Sequence, residues 1–174
     1  DYPRWFTIGA QKMQTERYTQ KALDAAASLM PARLMQRRHE VWPATIMALA
    51  VHQREPSTLL HSDVHIGNWY QTGAGRMGLC DWQCPSRGHW SRDVAYAMSS
   101  GLAPEDRRAW ERDLLARYLD RLAGHGAPRL DFDQAFTWYR QQLLHAFSMW
   151  TITLRHSPML PSMQSEAMTL AMME

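Results

Sequence analysis

The hydrophobic pattern of this chain changes once, over residues 58–83, which read TLLHSDVHIGNWYQTGAGRMGLCDWQ. Within this segment the short runs TLL, NWYQ and RMGLCD predict three strands, and TGAG predicts a turn between the last two. On both sides of the segment, apolar residues recur at the spacing of helices. The sequence therefore predicts an α+β fold that is mostly helical, with one small β-hairpin.

The helical parts of the pattern have recognisable starts and ends. Ser91 and Asp131 can cap the helices that follow them, Pro104 can open another helix, and Gly124 can stop it. Trp110 begins the apolar stripe that we expect this helix to bury. The predicted helices are 9–38 with a break at Pro31, 41–52, 91–98, 104–124, 131–154 and a last Met-rich helix from Pro161.

Composition narrows the class of protein. The chain has 174 residues, 45% of them hydrophobic, which is enough for one domain over residues 1–174 with one core. Its 19 basic and 17 acidic residues are interspersed, so nucleic-acid binding gains little support. No apolar run approaches the roughly 20 residues that span a bilayer. With Cys80 and Cys84 read as reduced thiols, we expect a soluble, cytoplasmic protein that binds no membrane, and the sequence leaves its oligomeric state open.

The run HSDVHIGN, residues 61–68, has the spacing HxDxxxxN of the protein-kinase catalytic loop. At that spacing an aspartate at a strand end can orient a substrate hydroxyl and take its proton. An asparagine five residues later can turn its amide oxygen toward a Mg²⁺ ion that carries nucleotide phosphates. Asp81 follows the predicted hairpin and can supply the carboxylate that Mg²⁺ prefers.

The runs LLHSDVHIGNW, LCDWQ and RDVAYAM together resemble the aminoglycoside phosphotransferase and choline kinase-like family, relatives of the protein kinases. The resemblance is close over residues 59–97 and looser in the flanking helices. It implies a protein-kinase-like C-terminal lobe in which a small β-hairpin carries the catalytic loop. It also implies a Mg²⁺-dependent transfer of the γ-phosphoryl group of ATP, or of GTP, to a hydroxyl of a small molecule.

The resemblance assigns catalytic roles within the loop. Asp63 would be the base that orients the acceptor hydroxyl. His61 would brace the loop by hydrogen bonding, and His65 would shape the loop or lie near phosphate. The ligands of Mg²⁺, and through it of the nucleotide, would be Asn68 and Asp81.

The same resemblance gives supporting roles outside the loop. Asp93, in the run SRDVAY, would hold the loop from behind. Arg87 and Arg92 could lie near phosphate, although a surface or ion-paired arginine is the commoner case.

The chain departs from the family pattern in three places. Ser62 replaces the usual glycine, which is tolerated if that backbone position keeps a negative φ. Gln83 follows Asp-Trp, so no switch of the DFG type is expected. No Gly-rich loop and strand lysine are present, and the chain opens without Met. We therefore expect a C-terminal fragment that lacks the N-terminal nucleotide-clamping lobe, a small domain on the order of 100 residues.

Two other functions are compatible with parts of the pattern. A kinase-like module could bind a partner or ligand without catalysis. The run SDVHIGN also resembles the Asp-x-His opening of binuclear metallophosphoesterases, but the further segments of that family, such as GDxxD, do not follow. The acceptor is open among aminoglycosides, choline-like amino alcohols, sugars and other metabolites.

Overall fold

The structure, a computed structural model of the chain, describes residues 2–54, 57–160 and 165–173. The backbone forms two compact units, one made of Asp1–Ala50 with Leu144–Glu174 and the other of Val51–Leu143. Over the described residues, every helix is too short or too polar to cross a bilayer. The predicted α+β fold with mostly helical content is confirmed.

The first unit is helical, and its long N-terminal helix is broken. The predicted helix over 9–38 has its expected break at Pro31, since helical structure stops at Ala25 and resumes at Ala32. A further break, at Gln14, where φ is 52°, was not predicted. A residue in the left-handed region ends an α-helix because the next carbonyl no longer points along the axis. The observed helices are α1 (Tyr2–Lys12), α2 (Thr15–Ala25), α3 (Ala32–Gln36) and α4 (Val41–Ala48), with 3₁₀ turns at Arg38–Glu40 and Leu49–Gln53.

Aromatic side chains form the core of this unit. Tyr2, Phe6 and Ala10 lie four residues apart on α1, so they share one face and are buried together. They pack against Trp42 and Leu49, and the rings of Phe6 and Trp42 stack with centroids 6.1 Å apart. This stripe starts before Gly9, which explains why the sequence pattern placed the helix start too late.

The second unit contains two antiparallel strand pairs. Strand β1 (Ser57–Leu60) pairs with β4 (Ser86–His89), and β2 (Trp69–Gln71) forms a hairpin with β3 (Met77–Leu79). β2 and β3 lie within the predicted runs and β1 begins one residue before its run, whereas β4 was not predicted because SRGH has no apolar alternation. Gly88 allows β4 to pack closely against the side chain of His52, since a Cβ at residue 88 would lie 2.4 Å from Nδ1 of His52.

The helices of the second unit follow the predicted order but not every predicted cap. α5 is Ser91–Gly101, α6 is Pro104–Gly124 and α7, which continues into the other unit, is Phe132–Leu154. Asp131 caps α7 by accepting from the backbone N–H of Gln134 at 2.9 Å, as predicted. Ser91 does not cap α5, because its Oγ is hydrogen-bonded to Nδ1 of His89 instead. The positive φ after α6 belongs to Gly126, not Gly124.

A second apolar cluster lies between these helices. Leu115 on α6 is fully buried, and it is grouped with Trp90, Ala95, Ala135 and Tyr139. Trp110, predicted to share the stripe, is 49% exposed. The last helix, α8, is Glu166–Met173, and its predicted start at Pro161 lies outside the described residues.

Candidate active site

The loop of residues 61–68 joins β1 to β2 in the second unit. Leu60 at the end of β1 and Val64 within the loop are buried and anchor it. Because β4 pairs with β1 and leads directly into α5, the first turn of α5 lies beside the start of the loop. Residues that are distant in sequence therefore meet at His61 and Ser62.

His61 connects the loop to two other parts of the unit. Its backbone N–H donates to Oδ2 of Asp93 at 2.7 Å, and its Nε2 lies 2.7 Å from the carbonyl of Cys80. A carbonyl only accepts, so Nε2 carries the proton and Nδ1 accepts from the N–H of Asp63 at 3.3 Å. His61 thus makes three hydrogen bonds that can brace the loop, which is the role predicted for it.

Asn68 is buried and lies against Asp63. Its Nδ2 donates to the backbone carbonyl of Asp63 at 2.8 Å and approaches the carboxylate Oδ2 at 3.3 Å. Since the carbonyl can only accept, the amide nitrogen faces Asp63 and the amide oxygen faces the other way. One third of the Asp63 side chain remains exposed, so its carboxylate can be reached from solvent.

His65 lies on the exposed side of the same carboxylate. Its Nδ1 accepts from the N–H of Gly67 at 3.1 Å, and its Nε2 is 3.7 Å from Oδ2 of Asp63. A Cβ on Gly67 would come within 2.9 Å of the imidazole ring, so a larger residue there would displace the His65 side chain. His65 therefore shapes the local turn and also borders Asp63.

Asp81 follows Cys80, whose backbone is hydrogen-bonded to the loop. The backbone N–H of Cys80 donates to the carbonyl of Asn68 at 2.9 Å, which fixes the end of the hairpin beside the loop. Asp81 follows with a φ of 60° and an exposed side chain, and Gln83 donates to its Oδ2 at 3.4 Å. The Trp82 ring lies 4.5 Å from that of His61.

Ser62 has a φ of 75°, so the condition under which serine would replace glycine without strain, a negative φ, is not met. A left-handed residue with a Cβ costs about 1–2 kcal/mol, which glycine avoids. This explains physically why a glycine suits the family pattern here. The serine contributes a hydrogen bond in return, since its Oγ lies 2.8 Å from Oγ of Ser86 on β4.

Asp93 and Arg92, adjacent on α5, lie behind the loop. Asp93 accepts from the backbone N–H groups of His61 and Ser62. Burial raises the pKa of the Asp93 carboxyl, and the charge of Arg92 and the two N–H donors partly oppose that rise. Asp93 is thus placed where the sequence predicted a support.

The two arginines that could have lain near phosphate have other surroundings. Arg92 is only 3% exposed, and its Nη1 lies 3.7 Å from Oδ1 of Asp93. Arg87 is exposed on β4 and donates from Nε to Oγ of Ser57 at 2.9 Å. Of the two roles considered for Arg92, contact with phosphate or an ion pair, the structure shows an ion pair with Asp93.

The donor set fits Mg²⁺ only in part. Within residues 2–54, 57–160 and 165–173, no three His, Cys, Asp or Glu side chains come together as a metal site. An amide oxygen from Asn68 and a carboxylate from Asp81 are hard ligands, and Mg²⁺ in such proteins takes its remaining ligands from water and substrate phosphates. A binuclear metallophosphoesterase needs several further side-chain ligands and gains no support from these residues.

One residue and one contact that matter to this geometry gave no signal in the sequence. Ser86 lies in a polar run and is identified only by its pairing with Ser62. Arg92 donates from Nη2 to the carbonyl of Ser62 at 3.2 Å, a contact that no spacing rule predicts. Both contacts depend on the β1–β4 pairing, which the sequence did not reveal.

Comparison with known proteins gives one match. The family model described as "Phosphotransferase enzyme family" matches residues 3–142, about four fifths of the chain. Neither the curated proteins nor the solved structures gave a match. The matched residues include the loop, the hairpin and the start of α5.

Proposed function

The chain belongs to the phosphotransferase enzyme family, and we propose that it transfers the γ-phosphoryl group of ATP or GTP to a hydroxyl of a small molecule. The observation that carries this proposal is the position of Asn68. Its side chain is hydrogen-bonded to Asp63, and its backbone carbonyl accepts from Cys80, the residue before Asp81. Asn68 thereby links the loop of the proposed base to the end of the strand that Asp81 follows.

Asp63 is the proposed base. Its Oδ2 faces Asn68 and His65, while a third of the side chain stays accessible to an incoming hydroxyl. A carboxylate held in this way can orient the hydroxyl and accept its proton as the new bond to phosphorus forms. His61, His65 and Asp93 fix the loop around it.

Asn68 and Asp81 are the proposed ligands of Mg²⁺. The amide oxygen of Asn68 is directed away from Asp63 because the amide nitrogen is committed to the Asp63 carbonyl. When bound, Mg²⁺ would neutralise charge on the nucleotide phosphates. The exposed carboxylate of Asp81 is free to meet a nucleotide that arrives from solvent. A nucleotide donor also agrees with the cytoplasmic location expected from the sequence.

The proposal is tested by two substitutions in the product of the complete reading frame. Nucleotide consumption is measured over a panel of amino alcohols, aminoglycosides and sugars, and nucleotide binding is measured by calorimetry. Asp63→Asn should lower kcat by about 10²–10⁴-fold, the usual contribution of a positioned base, with nucleotide Kd almost unchanged. Asp81→Asn should instead weaken Mg²⁺-nucleotide binding about tenfold or more.

Asp120→Asn is the matched control, because Asp120 is exposed on α6 and pairs with the exposed Arg129. Asp120→Asn should change neither kcat nor the Kd for the nucleotide. Nucleotide binding without turnover on any acceptor would favour a non-catalytic module. Mn²⁺-dependent hydrolysis of a generic phosphodiester would favour the metallophosphoesterase and overturn the proposal.

A further inference from the structure

We propose that Arg92 is a positioning residue for this reaction, because its guanidinium holds the backbone of Ser62 in the left-handed conformation that directs Asp63. This inference rests on the proposed function, since it concerns the same loop. The hydrogen bond that Arg92 makes to the loop is to the backbone carbonyl of Ser62. It acts through the peptide group immediately before the proposed base.

The backbone of Ser62 is held on both sides by adjacent residues of α5. Its N–H donates to the Asp93 carboxylate, at 3.3 Å to each oxygen. Its carbonyl accepts from Nη2 of Arg92 at 3.2 Å. The N–H and the carbonyl flank φ and ψ of Ser62, so these bonds restrain both dihedral angles.

The restraint is needed because serine does not favour a φ of 75°. A strained residue keeps such a conformation only where surrounding contacts determine it, and these sites cluster where function requires a fixed geometry. Hydrogen bonds to charged groups are stronger than those between neutral groups. The buried ion pair therefore supplies the contacts that serine, unlike glycine, requires here.

Arginine suits this position better than lysine. The guanidinium is planar and offers several donors, so Nη2 can bond the carbonyl while Nη1 lies 3.7 Å from Asp93. A lysine ammonium has its three donors on one nitrogen at the end of a flexible stem, so it lacks the rigid planar fork that reaches both groups. The side chain is almost fully buried, which keeps water from competing for the Ser62 carbonyl.

The charge of Arg92 also supports the strand behind the loop. Burial first, and then Arg92 and His89, lower the pKa of His52 to about 3. His52 therefore stays neutral, and its Nδ1 accepts from the backbone N–H of His89 at 3.1 Å. That bond holds the end of β4, whose Ser86 is hydrogen-bonded to the Ser62 hydroxyl.

The test compares four variants of the complete reading frame: Arg92→Met, Arg92→Lys, Arg92→Met with Ser62→Gly, and Leu115→Ala. Arg92→Met should lower kcat about 100-fold, as expected when a catalytic group is misplaced, while KM for the nucleotide changes little. Arg92→Lys should recover part of the loss. The added Ser62→Gly should raise kcat about tenfold over Arg92→Met alone, because glycine reaches a positive φ without help.

Leu115→Ala controls for stability, since it removes a buried side chain that lies outside the loop. It should lower the unfolding midpoint as Arg92→Met does, but keep kcat. If Arg92→Met likewise loses stability with kcat unchanged, or if Ser62→Gly rescues nothing, Arg92 has only a structural role and the inference is overturned.

A second readout does not require activity. Under native conditions the backbone amides of residues 61–63 should exchange about tenfold faster in Arg92→Met, while the amides of α6 keep their rates. Absence of turnover in the wild-type protein would overturn the proposed function, but this exchange would still show Arg92 positioning the loop. Unchanged exchange at residues 61–63 would overturn the inference even in an active enzyme.

Discussion

Gln14 and Ser62 are both non-glycine residues with a positive φ, 52° and 75° respectively, and they are held in different ways. Gln14 joins α1 to α2, is exposed, and its contacts are local: its N–H donates to Gln11, its carbonyl accepts from Tyr18 and its side chain accepts from Arg17. Ser62 is buried and is held by Asp93 and Arg92, about thirty residues away in sequence.

The difference shows where strain has a functional meaning. At Gln14 the left-handed conformation is a product of ending one helix and starting another, and neighbouring residues satisfy the backbone. At Ser62 an ion pair on α5 bonds the backbone N–H and carbonyl, and Ser86 on β4 bonds the side-chain hydroxyl. We infer that the second arrangement serves the geometry of Asp63, which is the next residue.

The largest expected effect on stability comes from Asp93. Asp93→Ala removes the acceptor of two backbone N–H groups and leaves the buried Arg92 without its carboxylate, so it should cost about 3–5 kcal/mol. The measurement is the free energy of unfolding in urea. Asp24→Ala is the counterpart in the first unit, since Asp24 pairs with Arg38 at 3.3 Å on the surface and should cost at most about 1 kcal/mol. Equal losses of unfolding free energy in Asp93→Ala and Asp24→Ala would show that Asp93 stabilises the fold no more than a surface ion pair does.

Lowering the pH should reduce the free energy of unfolding through protonation of His52, which supports the strand beside Ser62. The pKa of His52 is lowered from 6.5 to about 3, mainly by burial, so below pH 6.5 the unfolded chain binds a proton that the folded chain does not. Its contribution is complete above pH 6.5 and is lost as the pH falls toward 3. At about 1.4 kcal/mol per pKa unit, the loss should be about 2–4 kcal/mol across this range.

His52→Asn isolates this contribution, because asparagine keeps an acceptor but does not titrate. The difference in unfolding free energy between wild type and His52→Asn should shrink as the pH falls from 6.5. Asp93 has a raised pKa and acts in the opposite sense, but it is present in both proteins and cancels. A difference independent of pH would mean that His52 is not held neutral.

The smallest expected effect compares glycine with alanine at the two left-handed positions. Ser62→Gly should be more stable than Ser62→Ala by about 1 kcal/mol, since both lose the hydroxyl and only alanine retains the strain. Gln14→Gly and Gln14→Ala should differ by a similar amount, measured by thermal unfolding. Only the substitutions at position 62 should also change kcat. If Ser62→Gly and Ser62→Ala are equally stable, that result contradicts a left-handed conformation at Ser62.

Much of the fold was predictable because local rules decided it. The three runs predicted as strands match β1, β2 and β3 to within one residue or contain them, and Pro104 and Asp131 start α6 and α7 as predicted. The resemblance to the phosphotransferase family is confirmed. These features follow from hydrophobic period, turn residues and motif spacing, all of which lie within short stretches of sequence.

Other features escaped prediction because tertiary contacts decided them. β4 is polar and forms only because β1 is available to pair with it. Ser91 was a reasonable cap, but its hydroxyl is used by His89. The φ of Ser62 depends on Asp93 and Arg92, which no local pattern connects to it.

For the candidate site, the sequence predicted which residues matter, and the structure supplies their contacts. His61, Asp63, His65 and Asn68 lie in one loop, and Asp93 bonds its backbone as expected for a support. Asp81 follows a residue that is hydrogen-bonded to Asn68. Their catalytic and metal-binding roles remain predictions, as does the single-domain organisation.

The central claim is that Asp63, Asn68 and Asp81 share one metal and phosphate position. It is tested most directly by adding Mn²⁺ with ATP to the labelled product of the complete reading frame and recording backbone amide resonances. Paramagnetic broadening should appear at all three residues together, require ATP, and spare Leu115 and Asp120 on α6. Broadening at only one of the three, or none in the presence of bound ATP, would contradict the account.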